Sequence, residues 1–157
     1  MTAPLDIVIM AAGKGTRMKS RHSKVLQKLA GRALLQHVLN TSASLKARSA
    51  VVITGHGATE VEAAITGAQG SESSFELKFV RQEPQLGTGH AVQQAVPALK
   101  DDGMVIVLSG DVPLTQADTL QALVDAAGGD KLALLTVSMP DPTGYGRIMR
   151  NEAGTVQ

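Results

Sequence analysis

The feature that most constrains this chain is an apolar run leading directly into a glycine-rich, basic loop. Residues 5–24 read LDIVIMAAGKGTRMKSRHSK. A short apolar run bounded by glycines is typical of a buried central strand. Small residues follow it, namely Ala11, Ala12, Gly13 and Gly15. They let backbone N–H groups approach a polyphosphate closely, and the cations Arg17 and Lys24 come next. The segment therefore predicts a phosphate-binding site.

Two familiar glycine-loop motifs do not fit this segment. The dinucleotide-binding motif G-x-G-x-x-G requires a third glycine where Met18 stands, and the next strand candidate ends without the acidic residue that would hold a ribose. The P-loop motif G-x-x-x-x-G-K-[ST] occurs nowhere in the chain. The loop therefore indicates a different nucleotide chemistry.

The composition is that of one domain with an aliphatic core. A chain of 157 residues can bury roughly two-thirds of its unfolded surface, and 43% of its residues are hydrophobic but only 2% aromatic. The formal net charge of +1 gives no general attraction to nucleic acid or membranes, so phosphate binding must be local. The absence of cysteine excludes disulfides and thiolate metal sites. With no signal-peptide pattern and no run of transmembrane length, these features predict a cytoplasmic enzyme.

Strand and helix signals alternate along the chain. Apolar runs predict strands over residues 5–10, 50–54, 76–80, 104–108 and 132–137, and helical spacing appears over residues 34–39 and 120–127. Thr115 and Asp118 predict a capping box at the start of the second helix. The polar stretch 67–74 predicts an exposed loop. The alternation predicts an α/β fold, a mainly parallel sheet with helices on both faces.

Ligands of such sheets bind beyond the carboxyl ends of the strands. The glycine loop follows Met10, and a second candidate segment, Ser109, Gly110 and Asp111, follows the strand that ends at Leu108. From its position alone, Asp111 is either an Asx turn before Pro113 or a Mg²⁺ ligand, since magnesium needs only one or two carboxylates beside phosphate oxygens and water. The four histidines lack paired metal spacing and are predicted to be structural or solvent-facing.

Four ordered motifs together resemble a known enzyme family. They are GKGTRM followed by Lys24, QEPQLGTGHA over residues 82–91, LSGDVPL over residues 108–114, and DPTGYGRI over residues 141–148. They resemble the uridyltransferase half of bacterial bifunctional N-acetylglucosamine-1-phosphate uridyltransferase/glucosamine-1-phosphate acetyltransferases, from residue 7 to the last residue. The resemblance implies a Rossmann-like fold of the nucleotide-diphospho-sugar transferase type.

The resemblance also implies roles for individual residues. Arg17 contacts the departing pyrophosphate and Lys24 bridges the reacting phosphates, while Asp111 ligates Mg²⁺. Gln82 and Gly87 read the base with Thr88 nearby, and Gly146 lies against the sugar. The remaining predicted substrate contacts are Met10, Ala11, Ala12, Gly13, Gly15, Ser109 and Gly110. Without the resemblance, an ordinary turn is the less favoured interpretation of the glycine loop and of Asp111, whereas Gln82, Gly87 and Thr88 are equally compatible with a turn at the start of a helix.

The sequence departs from the family pattern at two of these motifs. Ser23 stands where the family normally has proline before the lysine, which predicts a less rigid entry to Lys24. Ser109 stands where close relatives commonly have an aromatic residue, which puts a packing contact beside the nucleotide in doubt.

The function implied is Mg²⁺-dependent transfer of a uridyl group from UTP to N-acetylglucosamine 1-phosphate. The products are UDP-N-acetylglucosamine, a precursor for peptidoglycan and lipopolysaccharide, and pyrophosphate. Alternatives are another sugar-1-phosphate nucleotidyltransferase and a noncatalytic module that binds UTP or a UDP-sugar. Competition among nucleotides for binding would distinguish the implied enzyme from another sugar-1-phosphate nucleotidyltransferase. Binding without turnover would indicate the noncatalytic module.

The C-terminal residues predict an incomplete domain. A strand over residues 147–150, a turn at residues 151–154 and the last three residues resemble a hairpin cut inside its second strand. We therefore expect residues 1–157 to be the N-terminal part of a nucleotidyltransferase domain. The left-handed β-helix that carries acetyl transfer in the family, and through which its members would form homotrimers, is expected to be absent. The chain alone is expected to show no acetyltransferase activity and little uridyl transfer.

Overall fold

The computed structural model describes residues 3–13, 15, 22–68 and 75–156. The elements in chain order are β1 (Leu5–Met10), β2 (Lys28–Leu29), β3 (Arg32–Ala33), α1 (Leu34–Ala43), β4 (Ser49–Thr54), α2 (Ala58–Ala68), β5 (Glu76–Arg81), α3 (Thr88–Ala95), β6 (Met104–Ser109) and α4 (Ala117–Ala127). Four strands form a parallel sheet in the order β5-β4-β1-β6, and β2 and β3 form a separate antiparallel pair.

Helices cover both faces of the parallel sheet. On one face, Ile9 and Val52 pack with side chains from α1, α2 and α4. On the opposite face, Val8 and Val51 pack with Ala91 of α3. The two central strands are apolar on both faces because both faces are covered, as is typical of parallel sheets. The predicted α/β architecture is confirmed, with four strand predictions correct to within one residue at either end.

The apolar run 132–137 was predicted to be a strand, and this prediction is wrong. Leu132 is 87% exposed and Val137 is 76% exposed. The run forms no strand. Its first residues line a groove together with residues of β6 and α4. Composition favours an extended run locally, but the backbone N–H and C=O groups of a strand need a partner strand, which no described segment provides here.

Near the end of the described chain, the turn prediction is confirmed and the strand prediction is not. The amide of Asn151 donates to the carbonyl oxygen of Thr155 at 3.0 Å, as expected of a hairpin turn. Residues 147–150, however, form no strand, and only one antiparallel bridge, between Arg150 and Val156, is present. A single bridge is too short a ladder to hold a strand.

Two helix boundaries also differ from their predictions. The N-cap of α4 is Gln116, and no side chain caps the helix, so the predicted Thr115–Asp118 capping box does not form. A capping box needs its first residue at the N-cap, and the helix begins one residue too late for Thr115 to occupy that position. Helix α2 extends to Ala68, into the predicted loop, whose other residues, 69–74, lie outside the described chain. None of the helices described is long and apolar enough to span a membrane.

A buried ion pair ties the amino ends of three strands together. Asp6 on β1 is 1% exposed and accepts hydrogen bonds from Arg48 Nη2 at 2.5 Å, Arg48 Nε at 3.1 Å and Ser49 Oγ at 2.6 Å. Arg48 also donates to Asp102, just before β6, at 2.7 Å. The hydrogen bond from Arg48 is the main cause that lowers the pKa of Asp6 and of Asp102, although burial opposes it. The pairing compensates for the burial of Asp6.

Candidate active site

A cleft opens at the carboxyl ends of β1, β5 and β6. It encloses about 430 Å³ and is lined by Met10, Ala11, Ala12, Gly13, Gly15, Lys24, Val25, Gln82, Gln85, Gly87, Thr88, Ala91, Ser109 and Asp111. Most of the predicted substrate-binding residues thus surround one space. The structure has this form because all strands of the sheet are parallel, so the segments that follow them meet at one edge.

Gly15 allows the glycine loop to approach Lys24. Its φ is +58°, and a Cβ atom there would lie 2.9 Å from Cβ of Lys24. Any other residue at position 15 would both adopt a disfavoured conformation and push Lys24 away. Close packing of the loop against the lysine therefore requires glycine at this position.

Lys24 and Asp111 form an ion pair inside the cleft. The ammonium nitrogen Nζ of Lys24 donates to Oδ2 of Asp111, and the two residues are 87 positions apart in sequence. Their side chains are 36% and 31% exposed, so both remain accessible to a ligand. The cleft thus offers one cation for phosphate and one carboxylate for a metal ion, side by side.

Backbone hydrogen bonds hold the strand ends that carry these groups. The amide of Gly110 donates to the carbonyl oxygen of Met10 at 2.9 Å, and the amide of Ala11 donates to Ile53 at 2.8 Å. A Cβ atom on Gly110 would lie 3.1 Å from the carbonyl oxygen of Met10 and 3.2 Å from Cδ1 of Leu35. Gly110 is buried behind the cleft, and its small size allows the segment before Asp111 to lie against the end of β1.

The wall predicted to bind the base follows β5. Gln82 is 5% exposed, and its amide nitrogen Nε2 donates to the carbonyl oxygen of Gly87 at 2.8 Å. Gly87 has a φ of +100° and is the N-cap of α3, and Thr88 is the first residue of that helix. The three residues line the cleft together.

Gln85 is a cleft residue that the sequence analysis did not single out. Its Nε2 donates to the carbonyl oxygen of Ala12 at 2.7 Å and so joins the base wall to the glycine loop. A Cβ atom on Gly55 would lie 2.4 Å from that nitrogen, so glycine is needed beside it. The only sequence signal was its position inside the QEPQLGTGHA motif, because a contact across 73 positions leaves no local pattern.

Among the described residues, one predicted sugar contact does not line the cleft. Gly146 is exposed and does not line it, and Arg17 lies outside the described residues. His22 contacts Glu60 at 2.6 Å, and His37 contacts the carbonyl oxygen of Leu29 at 2.8 Å. Within the described ranges, no three His, Asp or Glu side chains group as metal ligands.

We expect Ser23→Pro to raise the free energy of unfolding by about 0.4–1 kcal/mol, because proline restricts the unfolded chain. Ser23 already has a φ of −54°, within the range of proline. Its buried hydroxyl has no hydrogen-bond partner in the described chain, so losing it removes no pair. Urea unfolding measures the change.

The control for Ser23→Pro is Ser23→Ala, which removes the hydroxyl without restricting φ. A proline variant less stable than the alanine variant would show that this backbone position rejects the ring.

The chain has a mainly parallel sheet with a glycine loop, a lysine and an aspartate at its carboxyl edge. This arrangement is that of a nucleotidyltransferase. The profile of the MobA-like NTP transferase domain family matches residues 7–153. The chain belongs to this family of nucleotidyltransferases.

Individual relatives narrow the comparison. The chain is 74% identical over its full length to the bifunctional protein GlmU of Acidovorax sp. (strain JS42), and it spans 33% of that relative. Among solved structures it resembles a UDP-glucose pyrophosphorylase complexed with UDP-glucose (TM-score 0.65, 16% identity, covering 79% of this chain and 53% of that one). It also resembles the 4-diphosphocytidyl-2C-methyl-D-erythritol synthase of Anaerococcus prevotii (TM-score 0.63, 14% identity, covering 98% of this chain and 61% of that one). At these identities the solved structures support the fold alone.

Proposed function

We propose that this chain forms the UTP-binding part of an enzyme that transfers a uridyl group to N-acetylglucosamine 1-phosphate. The observation that carries the proposal is the pairing of Lys24 with Asp111 directly beside the glycine loop. The 74% identity to a bifunctional protein GlmU supports the same choice. UDP-N-acetylglucosamine and pyrophosphate are the products.

The proposed reaction needs charge neutralisation rather than a protein nucleophile. A phosphate oxygen of the sugar phosphate attacks the α-phosphorus of UTP, the new P–O bond forms, and the bond to the β-phosphate breaks to release pyrophosphate. In this proposal Lys24, which lines the cleft, neutralises negative charge that develops on the reacting phosphates. Backbone N–H groups of the glycine loop hold the triphosphate in position.

Asp111 fits the ligand preference of Mg²⁺. It is a single, partly exposed carboxylate at a strand end beside the predicted phosphate site, and magnesium commonly takes one or two carboxylates together with phosphate oxygens and water. A bound Mg²⁺ ion would neutralise phosphate charge. Lys24 balances the charge of Asp111, and a triphosphate would bring new acceptors for the ammonium group.

The proposal is tested by titrating the chain with UTP and by measuring pyrophosphate release. The assay contains UTP, Mg²⁺ and a panel of sugar 1-phosphates. Pyrophosphate release with N-acetylglucosamine 1-phosphate, and with no other sugar 1-phosphate of the panel, supports the proposal. Preference for a different sugar or nucleotide favours another pyrophosphorylase. UTP binding without turnover would instead favour the noncatalytic module that binds UTP or a UDP-sugar. Absence of UTP binding would contradict the proposal.

We expect Asp111→Asn to weaken binding of Mn²⁺, a paramagnetic substitute for Mg²⁺, at least tenfold in the presence of UTP. The amide keeps the size of the carboxylate but removes its charge, and loss of a charged contact costs about 1.5–3 kcal/mol. Electron paramagnetic resonance of free Mn²⁺ measures the binding.

Asp118→Asn is the matched control for this measurement. Asp118 is exposed in the first turn of α4, outside the cleft. Equal Mn²⁺ affinity in the wild type and Asp111→Asn would remove Asp111 as the metal ligand.

A further inference from the structure

The amide of Gln82 has a fixed orientation. Its Nε2 lies 2.8 Å from the carbonyl oxygen of Gly87, and a carbonyl oxygen only accepts hydrogen bonds. The NH₂ end must therefore face Gly87. Burial reinforces this restraint, because Gln82 is 5% exposed and its backbone amide is bonded to Thr54 at 2.8 Å.

The ring of His90 can accept a hydrogen bond from the second hydrogen of the same NH₂ group. Its Nδ1 lies 3.2 Å from Nε2 of Gln82, and the ring stands on α3 outside the cleft lining. For Nδ1 to accept, the ring proton must be on Nε2. That nitrogen lies 3.1 Å from Nε2 of Gln94, which also lies 3.4 Å from the carbonyl oxygen of His90, so the Gln94 amide must turn for its oxygen to accept the ring proton. His90 thus completes a chain of polar contacts behind Gln82.

With both hydrogens engaged, Gln82 has only an acceptor left to offer a ligand. Among the described residues, no group donates a hydrogen bond to its carbonyl oxygen Oε1. An amide with a free NH₂ end could turn to serve either kind of base edge, whereas this one cannot.

We propose that His90 is a specificity-determining positioning residue that locks Gln82 as an acceptor, so that the cleft selects a base with a ring N–H. Uracil carries a donor at N3, and cytosine carries an acceptor there. The locked oxygen can therefore accept from N3–H of uracil, whereas it opposes N3 of cytosine, whose only donor on this edge is the exocyclic amine at C4. The inference rests on the proposed UTP site and adds the group that enforces its base selectivity.

The test compares wild type, His90→Leu and His90→Asn in calorimetric titrations with UTP, CTP and inorganic tripolyphosphate, each with Mg²⁺. Leucine removes the acceptor, and asparagine can place its side-chain oxygen near the position of Nδ1. We expect His90→Leu to reduce the UTP-over-CTP preference about tenfold, the effect of one hydrogen bond of about 1.4 kcal/mol. His90→Asn should retain most of the preference. Tripolyphosphate affinity should not change in either variant.

The outcomes separate this inference from the proposed function. A wild-type chain that binds UTP and CTP equally would contradict both. A wild type that prefers UTP, with the preference intact in His90→Leu, would overturn only the role of His90. Equal weakening of all three ligands in His90→Leu would indicate a general structural role instead and would also overturn it.

A second measurement needs no ligand. Nitrogen-15 NMR of the imidazole ring of His90 should show the tautomer with its proton on Nε2. A proton on Nδ1 would contradict the proposed lock, because Nδ1 could not then accept from Gln82.

Discussion

Lys24→Ala is expected to lower UTP-dependent pyrophosphate release at least about 100-fold, the usual cost of losing one preorganised charged contact to a transition state. Lys24 lies in the cleft beside the glycine loop, and its partner Asp111 is partly exposed. Removing it should change stability little, because partly exposed ion pairs contribute about 0–1 kcal/mol. Initial rates and thermal unfolding of the same preparations measure both effects.

The control is Lys28→Ala, since Lys28 is an exposed lysine on β2 outside the cleft. Where the 157-residue chain turns over too slowly to compare rates, UTP affinity is the measurement, and about a tenfold loss is expected only for Lys24→Ala. Unchanged rate and affinity would remove Lys24 from the mechanism. Arg17→Ala is predicted from the sequence to have a comparable effect on turnover.

We expect Arg48→Ala to lower the free energy of unfolding by about 3–5 kcal/mol, because it leaves the buried carboxylate of Asp6 without its cation. Asp6 is 1% exposed and receives two hydrogen bonds from the guanidinium group. The more exposed pair of Arg81 with Glu62, whose side chains are 57% and 23% exposed, provides the matched control. Arg81→Ala should cost about 1 kcal/mol or less. Urea unfolding at pH 7 compares them.

The cost of Arg48→Ala should also depend on pH. The pKa values of Asp6 and Asp102 are lowered in the folded chain by their bonds to Arg48, so this stabilisation is present above their ordinary values of about 4 and is lost as pH falls through the lowered values. The difference between wild type and Arg48→Ala should therefore narrow from pH 7 toward pH 3. A constant difference would mean that Arg48 stabilises by packing instead.

Much of the fold was predictable because burial leaves a local pattern. Strand β1 was predicted with its observed bounds, Leu5–Met10, and three other strands were predicted to within one residue at either end. An apolar run of strand length next to glycines specifies a buried strand wherever it lies. The same logic failed for residues 132–137, since strand formation there depends on a neighbouring backbone and not on composition.

The sequence predicted which segments meet at the candidate site, but it did not predict which of their atoms pair. Parallel strands bring their carboxyl ends to one edge, so the glycine loop and Asp111 were expected near one another, and the resemblance added Gln82 to the same site. The contact of Lys24 with Asp111, the link from Gln85 to Ala12 and the position of His90 behind Gln82 were not predicted.

The sequence by itself determined the α/β class, the central strands and the glycine loop, because each depends on hydrophobicity and backbone freedom within a few consecutive residues. Only the tertiary structure decided the partners of its polar groups. Asp6 meets Arg48 across 42 positions, and Lys24 meets Asp111 across 87. A hydrogen bond depends on distance and direction between atoms, and neither exists until the sheet has assembled. The chemistry proposed for this cleft therefore depends on contacts that no local sequence pattern could specify.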